Sequence, residues 1–113
     1  MIARFAPGAV VPLDELPGRV VSVTRTDDET SVICGEGPLP AAQHVDEGWR
    51  CLALGGPFAF DETGILAALT KCLAEEAIGV MPICTYDTDY LFVKEGNLER
   101  TIGALRRGGH QVE

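Results

Sequence analysis

Residues 56–66 read Gly56-Pro57-Phe58-Ala59-Phe60-Asp61-Glu62-Thr63-Gly64-Ile65-Leu66, and residues 83–94 read Ile83-Cys84-Thr85-Tyr86-Asp87-Thr88-Asp89-Tyr90-Leu91-Phe92-Val93-Lys94. Between them Ile65, Leu69, Cys72, Leu73 and Glu76 fall on one side at helical spacing, with only Glu76 polar. Asp61 suits the cap of that helix and Gly79 its stop. Residues 80–85 and 90–94 then read as two apolar strands joined by an acidic tight turn at Asp87-Thr88.

Working outward, residues 49–54 read as a strand ended by Gly55-Gly56-Pro57. That glycine run lacks the lysine and the spacing of a phosphate-binding loop. On the other side, Asn97 is placed to cap a second helix whose Leu98, Ile102 and Leu105 form one stripe. Gly108-Gly109 should stop it, leaving residues 110–112 as a last short strand. The order strand, helix, strand, strand, helix, strand predicts an α+β, ferredoxin-like βαββαβ unit: an antiparallel sheet with both helices on one face. Pro82 fits, because the second strand of that topology lies at an edge, where a missing N–H is tolerated.

Residues 1–48 read as a trimmed copy of the same plan. Residues 20–25 and 31–34 flank Thr26-Asp27-Asp28-Glu29-Thr30 as a hairpin, and a short strand is expected near Arg4-Phe5-Ala6. Helical turns are expected at residues 14–16 and 41–45, and Pro12, Pro17, Pro38 and Pro40 leave room for little more. The predicted organisation is a degenerate half at 1–48 followed by a complete unit at 49–113.

Composition narrows the function. The chain carries 17 acidic and 9 basic residues, a net charge of −8, and its basic residues cluster only at Arg106-Arg107, so no nucleic-acid partner is expected. No run approaches the roughly 20 apolar residues of a membrane span, and Met1-Ile2-Ala3-Arg4 leads into no signal-peptide core; a cytoplasmic protein is expected. Cys34, Cys51, Cys72 and Cys84 are widely separated and read as reduced thiols. They have no metal-ligand spacing with His44 or His110, and no nucleophile sits beside a base, so neither metal, cofactor nor catalysis is expected.

Two motifs resemble the ACT-domain superfamily, on the branch shared by aspartate-kinase regulatory domains and the CASTOR arginine sensors. One is Phe60-Asp61-Glu62-Thr63-Gly64-Ile65 together with Ile83-Cys84-Thr85-Tyr86-Asp87-Thr88-Asp89-Tyr90-Leu91-Phe92-Val93. The other is Val21-Ser22-Val23-Thr24-Arg25-Thr26 with Ser31-Val32-Ile33-Cys34, which looks like a degenerate first ACT unit. The resemblance implies a tandem-ACT regulatory protein that binds an amino acid or related metabolite at an interface between ACT units. By position it points to Glu62, Thr63, Gly64 and Ile65 with Thr85, Tyr86 and Asp89 as ligand-binding residues. With one well-formed unit in the chain, a homodimer is expected to complete the pocket.

The chemistry agrees with that reading. Gly64 would let a ligand carboxylate approach the free N–H groups of a helix start, while Glu62 and Asp89 suit an ammonium and Tyr86 can cover the guest. The plainer alternative is that Asp61 and Glu62 only complement a helix dipole and that residues 87–89 are turn chemistry. On that view the chain is a ligand-free interaction module that assembles with itself or with a metabolic enzyme.

Overall fold

The computed structural model describes residues 1–53 and 65–110, and its contacts separate Met1–Gly48 from Trp49–Glu113. In the second of these units, apolar alternation on one strand sets the layers. Strand β7 (Asp89–Lys94) buries Leu91 and Val93 completely, and both join a core with Leu69 and Leu73 of helix α1 (Ile65–Glu75) and with Ala104 and Leu105 of helix α2 (Leu98–Arg107). Successive side chains of a strand point to opposite faces, so both helices cover the face that carries residues 91 and 93. Strands β5 (Trp49–Ala53) and β6 (Met81–Cys84) flank β7 antiparallel, giving the order β5-β7-β6. This is the ferredoxin-like arrangement for its first three strands. Among the described residues β6 pairs with β7 alone, so Pro82 lies on an edge strand. His110 carries no regular structure, and residues 111 and 112 of the expected last strand lie outside the described residues, as do Asp61 and residues 55–57.

The helix ends differ from expectation in instructive ways. Helix α1 stops before Gly79: Ala77 takes the left-handed conformation (φ 55°), Ile78 N–H bonds to Leu73 C=O at 2.9 Å and Ala77 N–H to Ala74 C=O at 3.0 Å. These paired bonds satisfy carbonyls that the helix leaves open, and the accompanying contact joins Ile78 and Leu73, both in the core. That apolar contact fixes the stop, and an alanine accepts the unfavourable backbone at a cost of about 1 kcal/mol. Helix α2 ends in the same pattern, with Gly109 at φ 87° and His110 N–H on Leu105 C=O at 3.0 Å, as the paired glycines predicted. Asn97, expected to cap α2, makes no side-chain cap bond; its Oδ1 accepts from Arg100 at 3.1 Å instead. Glu76, the polar member of the expected helix stripe, connects the end of α1 to α2: its carboxylate accepts from Arg107 at 2.9 Å and its carbonyl from Arg100 at 2.6 Å.

The first unit keeps the sheet of the same fold and loses its helices. Strands β1 (Ile2–Phe5), β2 (Ser22–Arg25), β3 (Thr30–Ile33) and β4 (His44–Asp46) are antiparallel in the order β2-β3-β1-β4, the full ferredoxin-like order. The first helix is reduced to a 3-10 turn at Leu13–Glu15. The helical turn expected at 41–45 is instead a turn closed by Ala42 N–H on Leu39 C=O at 3.0 Å, followed by β4, whose residues pair with Ile2, Ala3 and Arg4. His44 is therefore an exposed strand residue. Ala3, Phe5 and Val32 with Met1 and Cys34 form the core, sealed by Ala9, Val11, Leu16, Val21, Leu39 and Ala42. Irregular chain thus covers the face that helices cover elsewhere, because four prolines forbid helix there.

Candidate functional site

Three of the candidate residues, Thr85, Tyr86 and Asp89, lie at the turn between β6 and β7. Thr85 N–H bonds to Thr88 C=O at 2.8 Å, and the Thr85 hydroxyl both donates to that carbonyl at 3.0 Å and accepts from Thr88 N–H at 3.2 Å. A Ser or Thr hydroxyl that bonds locally in this way stabilises a turn. Tyr86, at the tip, is 79% exposed and presents its ring to solvent. Asp89 opens β7 directly across from Cys84 in the antiparallel register.

Sequence reading missed Cys84. Its thiol is held above the ordinary thiol range, first by a hydrogen bond to the Asp89 side chain, then by desolvation and by the charge of Asp89. The neutral S–H donates to the carboxylate, and ionisation would place two negative charges side by side. The signal was present in the sequence, since residues flanking a four-residue turn become cross-strand neighbours, but it required the turn to be known first. Burial raises the Cys51 thiol as well, and Cys34 is raised chiefly by burial against the opposing pull of the amino terminus.

Because Asp89 is the largest cause of the Cys84 shift, Asp89→Asn should lower that thiol's pKa. Each unit of decrease raises the thiolate fraction about tenfold while costing about threefold in intrinsic nucleophilicity, so a net gain of about threefold per unit is expected. Iodoacetamide labelling at mildly alkaline pH, with peptide mapping, measures it; a slower or unchanged rate at Cys84 would contradict the link.

The register also fixes where the chain leaves β5. Ala53, the last residue of β5, pairs with Tyr90, next to Asp89, so the chain leaves β5 at the end of the sheet that carries the turn. Glu62, Thr63 and Gly64 lie outside the described residues; Ile65 begins α1. The structure thus brings Thr85, Tyr86 and Asp89 together, adds Cys84, and places the exit of β5 beside them. Trp49 and Lys94 pair at the opposite end of the same strands, with the Lys94 ammonium 4.9 Å from the indole centroid. Among the described residues no group of three or more His, Cys, Asp and Glu side chains is placed to hold a metal ion.

The first unit repeats the same turn, which sequence reading did not register. Thr26 N–H bonds to Glu29 C=O at 2.9 Å, and the Thr26 hydroxyl accepts from the N–H groups of Asp28 and Glu29 at 3.2 Å each. Arg25 and Thr30 then occupy the cross-strand positions that Cys84 and Asp89 hold in the second unit.

Comparison with known proteins matches this architecture. Residues 44–107 match the ACT domain family model, which is more than half of the 113-residue chain. The "Cytosolic arginine sensor for mTORC1 subunit 1" of Homo sapiens and that of Bos taurus are each 37% identical over 60 residues. That stretch is 52% of this chain and only 18% of either sensor, so the chain corresponds to a small part of those proteins. The crystal structure of Atu0741 from Agobacterium tumefaciens superposes with a TM-score of 0.87 at 40% identity, over 99% of this chain and 84% of that one. VC0802 of Vibrio cholerae, a protein of unknown function, shares the fold with a TM-score of 0.62 at 18% identity, over 96% of this chain and 84% of its own. A strand-helix-strand-strand-helix order among the described residues of the second unit, helices on one sheet face and a family match over residues 44–107 lead to one conclusion: this chain belongs to the ACT-domain family.

Proposed function

We propose that this protein is a cytoplasmic, non-catalytic regulatory protein that binds an amino acid. The turn that carries Tyr86 and Asp89 at the sheet end where β5 exits carries the reading, supported by the similarity of about half of the chain to part of a protein named as an arginine sensor. In this reading Glu62, Thr63, Gly64 and Ile65 present a helix start to the ligand carboxylate, and Asp89 takes its ammonium. Glu62 and Asp89 together suit a cationic amino acid, and a second ACT unit, supplied by a homodimer, completes the enclosure. A charge-assisted hydrogen bond to Asp89 contributes about 1.5–3 kcal/mol when partly desolvated.

The turn itself favours a second reading at one position. Both functions of the Thr85 hydroxyl already serve Thr88, which suits a structural turn in a module that assembles with itself or with a metabolic enzyme. Thermal denaturation in the presence of each of the twenty amino acids separates the two. A ligand at a hundredfold its dissociation constant is expected to add about 2.7 kcal/mol of stability, and Asp89→Asn is expected to remove most of that gain. If saturating concentrations of all twenty leave the transition unmoved, the sensor reading fails and the interaction module takes its place.

A further inference from the structure

Cys84 and Asp89 close the ladder between β6 and β7. One ends its strand, the other opens the next, and the register sets them directly opposite each other. The bond from Thr85 N–H to Thr88 C=O makes residues 85 and 88 a hydrogen-bonded pair. Along an antiparallel ladder such pairs alternate with non-hydrogen-bonded ones, whose side chains stand closer together, and Cys84–Asp89 is one of these. Pro82, two residues back and opposite Leu91, falls in the same class, so its missing N–H takes nothing from the ladder. The Thr85 hydroxyl engages both backbone groups of Thr88, which holds the pair in register.

The pair lacks a counter-cation. Cys84 is exposed and Asp89 half-buried, and among the described residues Asp89 is the one charged group that acts on this sulfur. Asp87, in the turn between them, is a further acid, and none of the described lysines or arginines contributes. The thiol therefore keeps its proton for an electrostatic reason as well as through its hydrogen bond to the carboxylate. A positive group arriving at Asp89 would remove that reason. It would compete with the S–H for the carboxylate's lone pairs and offset the charge that a thiolate otherwise meets. Cys51 offers the contrast: it is exposed on β5, opposite Phe92, and its thiol is raised by desolvation with no charge acting on it.

We propose that occupation of Asp89 by a cationic group of the ligand and loss of the Cys84 proton are linked, each promoting the other, so that the site converts its own occupancy into thiol reactivity. The inference rests on the reading of Asp89 as the residue that takes the ligand's ammonium. Linkage makes the effect reciprocal: the factor by which an ammonium at Asp89 favours the thiolate is the factor by which the thiolate tightens the hold on that ammonium. For groups near the surface this is about two- to fivefold, the worth of a solvent-exposed ion pair. Cys84 is thus a positioning residue that acts through Asp89. As a thiol it occupies a lone pair of the carboxylate; as a thiolate it frees that lone pair and adds a second anion beside it.

Alkylation of the full chain by iodoacetamide, followed against pH by peptide mapping in the presence of each of the twenty L-amino acids, tests it, with thermal denaturation run on the same samples. An amino acid that raises the transition should move the midpoint of the Cys84 rate profile to lower pH and leave the Cys51 midpoint where it is. The midpoint is the readout because a bound ligand also shields the sulfur, which changes only the plateau. In Asp89→Asn the ligand-dependent movement should vanish. Cys84→Asp, which fixes the negative charge, should bind the same amino acid about two- to fivefold more tightly in calorimetric titration at neutral pH than Cys84→Asn, its neutral counterpart. Cys84 is exposed, so both variants are expected to fold, and the alkylation profile of the unaltered chain decides the matter without them. A raised transition with an unmoved Cys84 midpoint, an equal movement at Cys51, or equal affinities of the two Cys84 variants overturns the linkage and leaves the sensor reading standing. If all twenty amino acids leave both the transition and the profile unmoved, the sensor reading fails and the linkage falls with it.

Discussion

Gly18→Ala is expected to open the first unit while the second stays folded. Gly18 holds φ at +107°, a conformation nearly closed to residues with a side chain, which costs about 1–3 kcal/mol in an alanine. A Cβ there would also sit 2.6 Å from the Gly35 nitrogen and 3.0 Å from its Cα, both backbone atoms that no rotamer change can move. The same nitrogen bonds to Pro17 C=O at 2.7 Å, so relief of the clash would pull apart the contact that ties the loop after the 3-10 turn to the end of β3. Together these suggest a loss of about 3 kcal/mol or more. Domains are stabilised by about 0.05–0.15 kcal/mol per residue, so such a loss consumes much of what a unit this small can have. Cys34, 3% exposed in the core of this unit, reports the opening: alkylation mapped to Cys34 should accelerate strongly in the variant. Gly48→Ala is the matched comparison, because φ there is +83° with nothing within 4 Å of a Cβ, and it should cost only the backbone share. Equal effects from the two substitutions would show that the Gly18–Gly35 approach contributes nothing.

Leu73→Ala should have the largest effect on the second unit. Leu73 is fully buried, and its carbonyl accepts the bond from Ile78 N–H that ends α1. Truncating a buried leucine costs about 2–5 kcal/mol, rising with the cavity that remains. The upper half of that range is expected, because the Ile78 contact that fixes the helix end disappears with the side chain. Trp49, the single tryptophan of the chain, lies on β5 of this unit, so a urea titration followed by tryptophan fluorescence reads the second unit selectively. The midpoint should fall markedly while Cys34 labelling in the absence of urea stays slow. An unmoved fluorescence midpoint would mean that the packing of α1 on β7 has been misjudged.

The periodic elements were legible because burial imposes them directly. Leu69 and Leu73 on α1, and Leu91 and Val93 on β7, announce their faces by spacing alone, and the family resemblance rests on the same stretch. What escaped was decided by partners distant in the chain. The stop of α1 at Ala77 follows from where Ile78 meets Leu73, and no local preference for glycine competes with that contact. Strand β4 is short and polar, with His44, Val45 and Asp46 all exposed; it exists because β1 offers it a backbone edge. At the candidate site, the residue types around the turn were readable, whereas the Cys84–Asp89 hydrogen bond and the repeat of the turn at Thr26 needed the register. The approach of Gly18 to Gly35 left no trace in the order of residues at all.

The placement of β1 has a kinetic corollary. It is the first strand of the chain and an inner one, held between β3 and β4, so neither of its neighbours exists until residues 30–33 and then 44–46 have been made. During synthesis Ile2, Ala3 and Phe5 must therefore wait, solvated and unpaired, while the β2–β3 hairpin closes locally. Such long-range pairing slows folding and leaves a sticky segment open to wrong partners. The residues of β1 are consequently where a nascent chain of this protein most needs shelter.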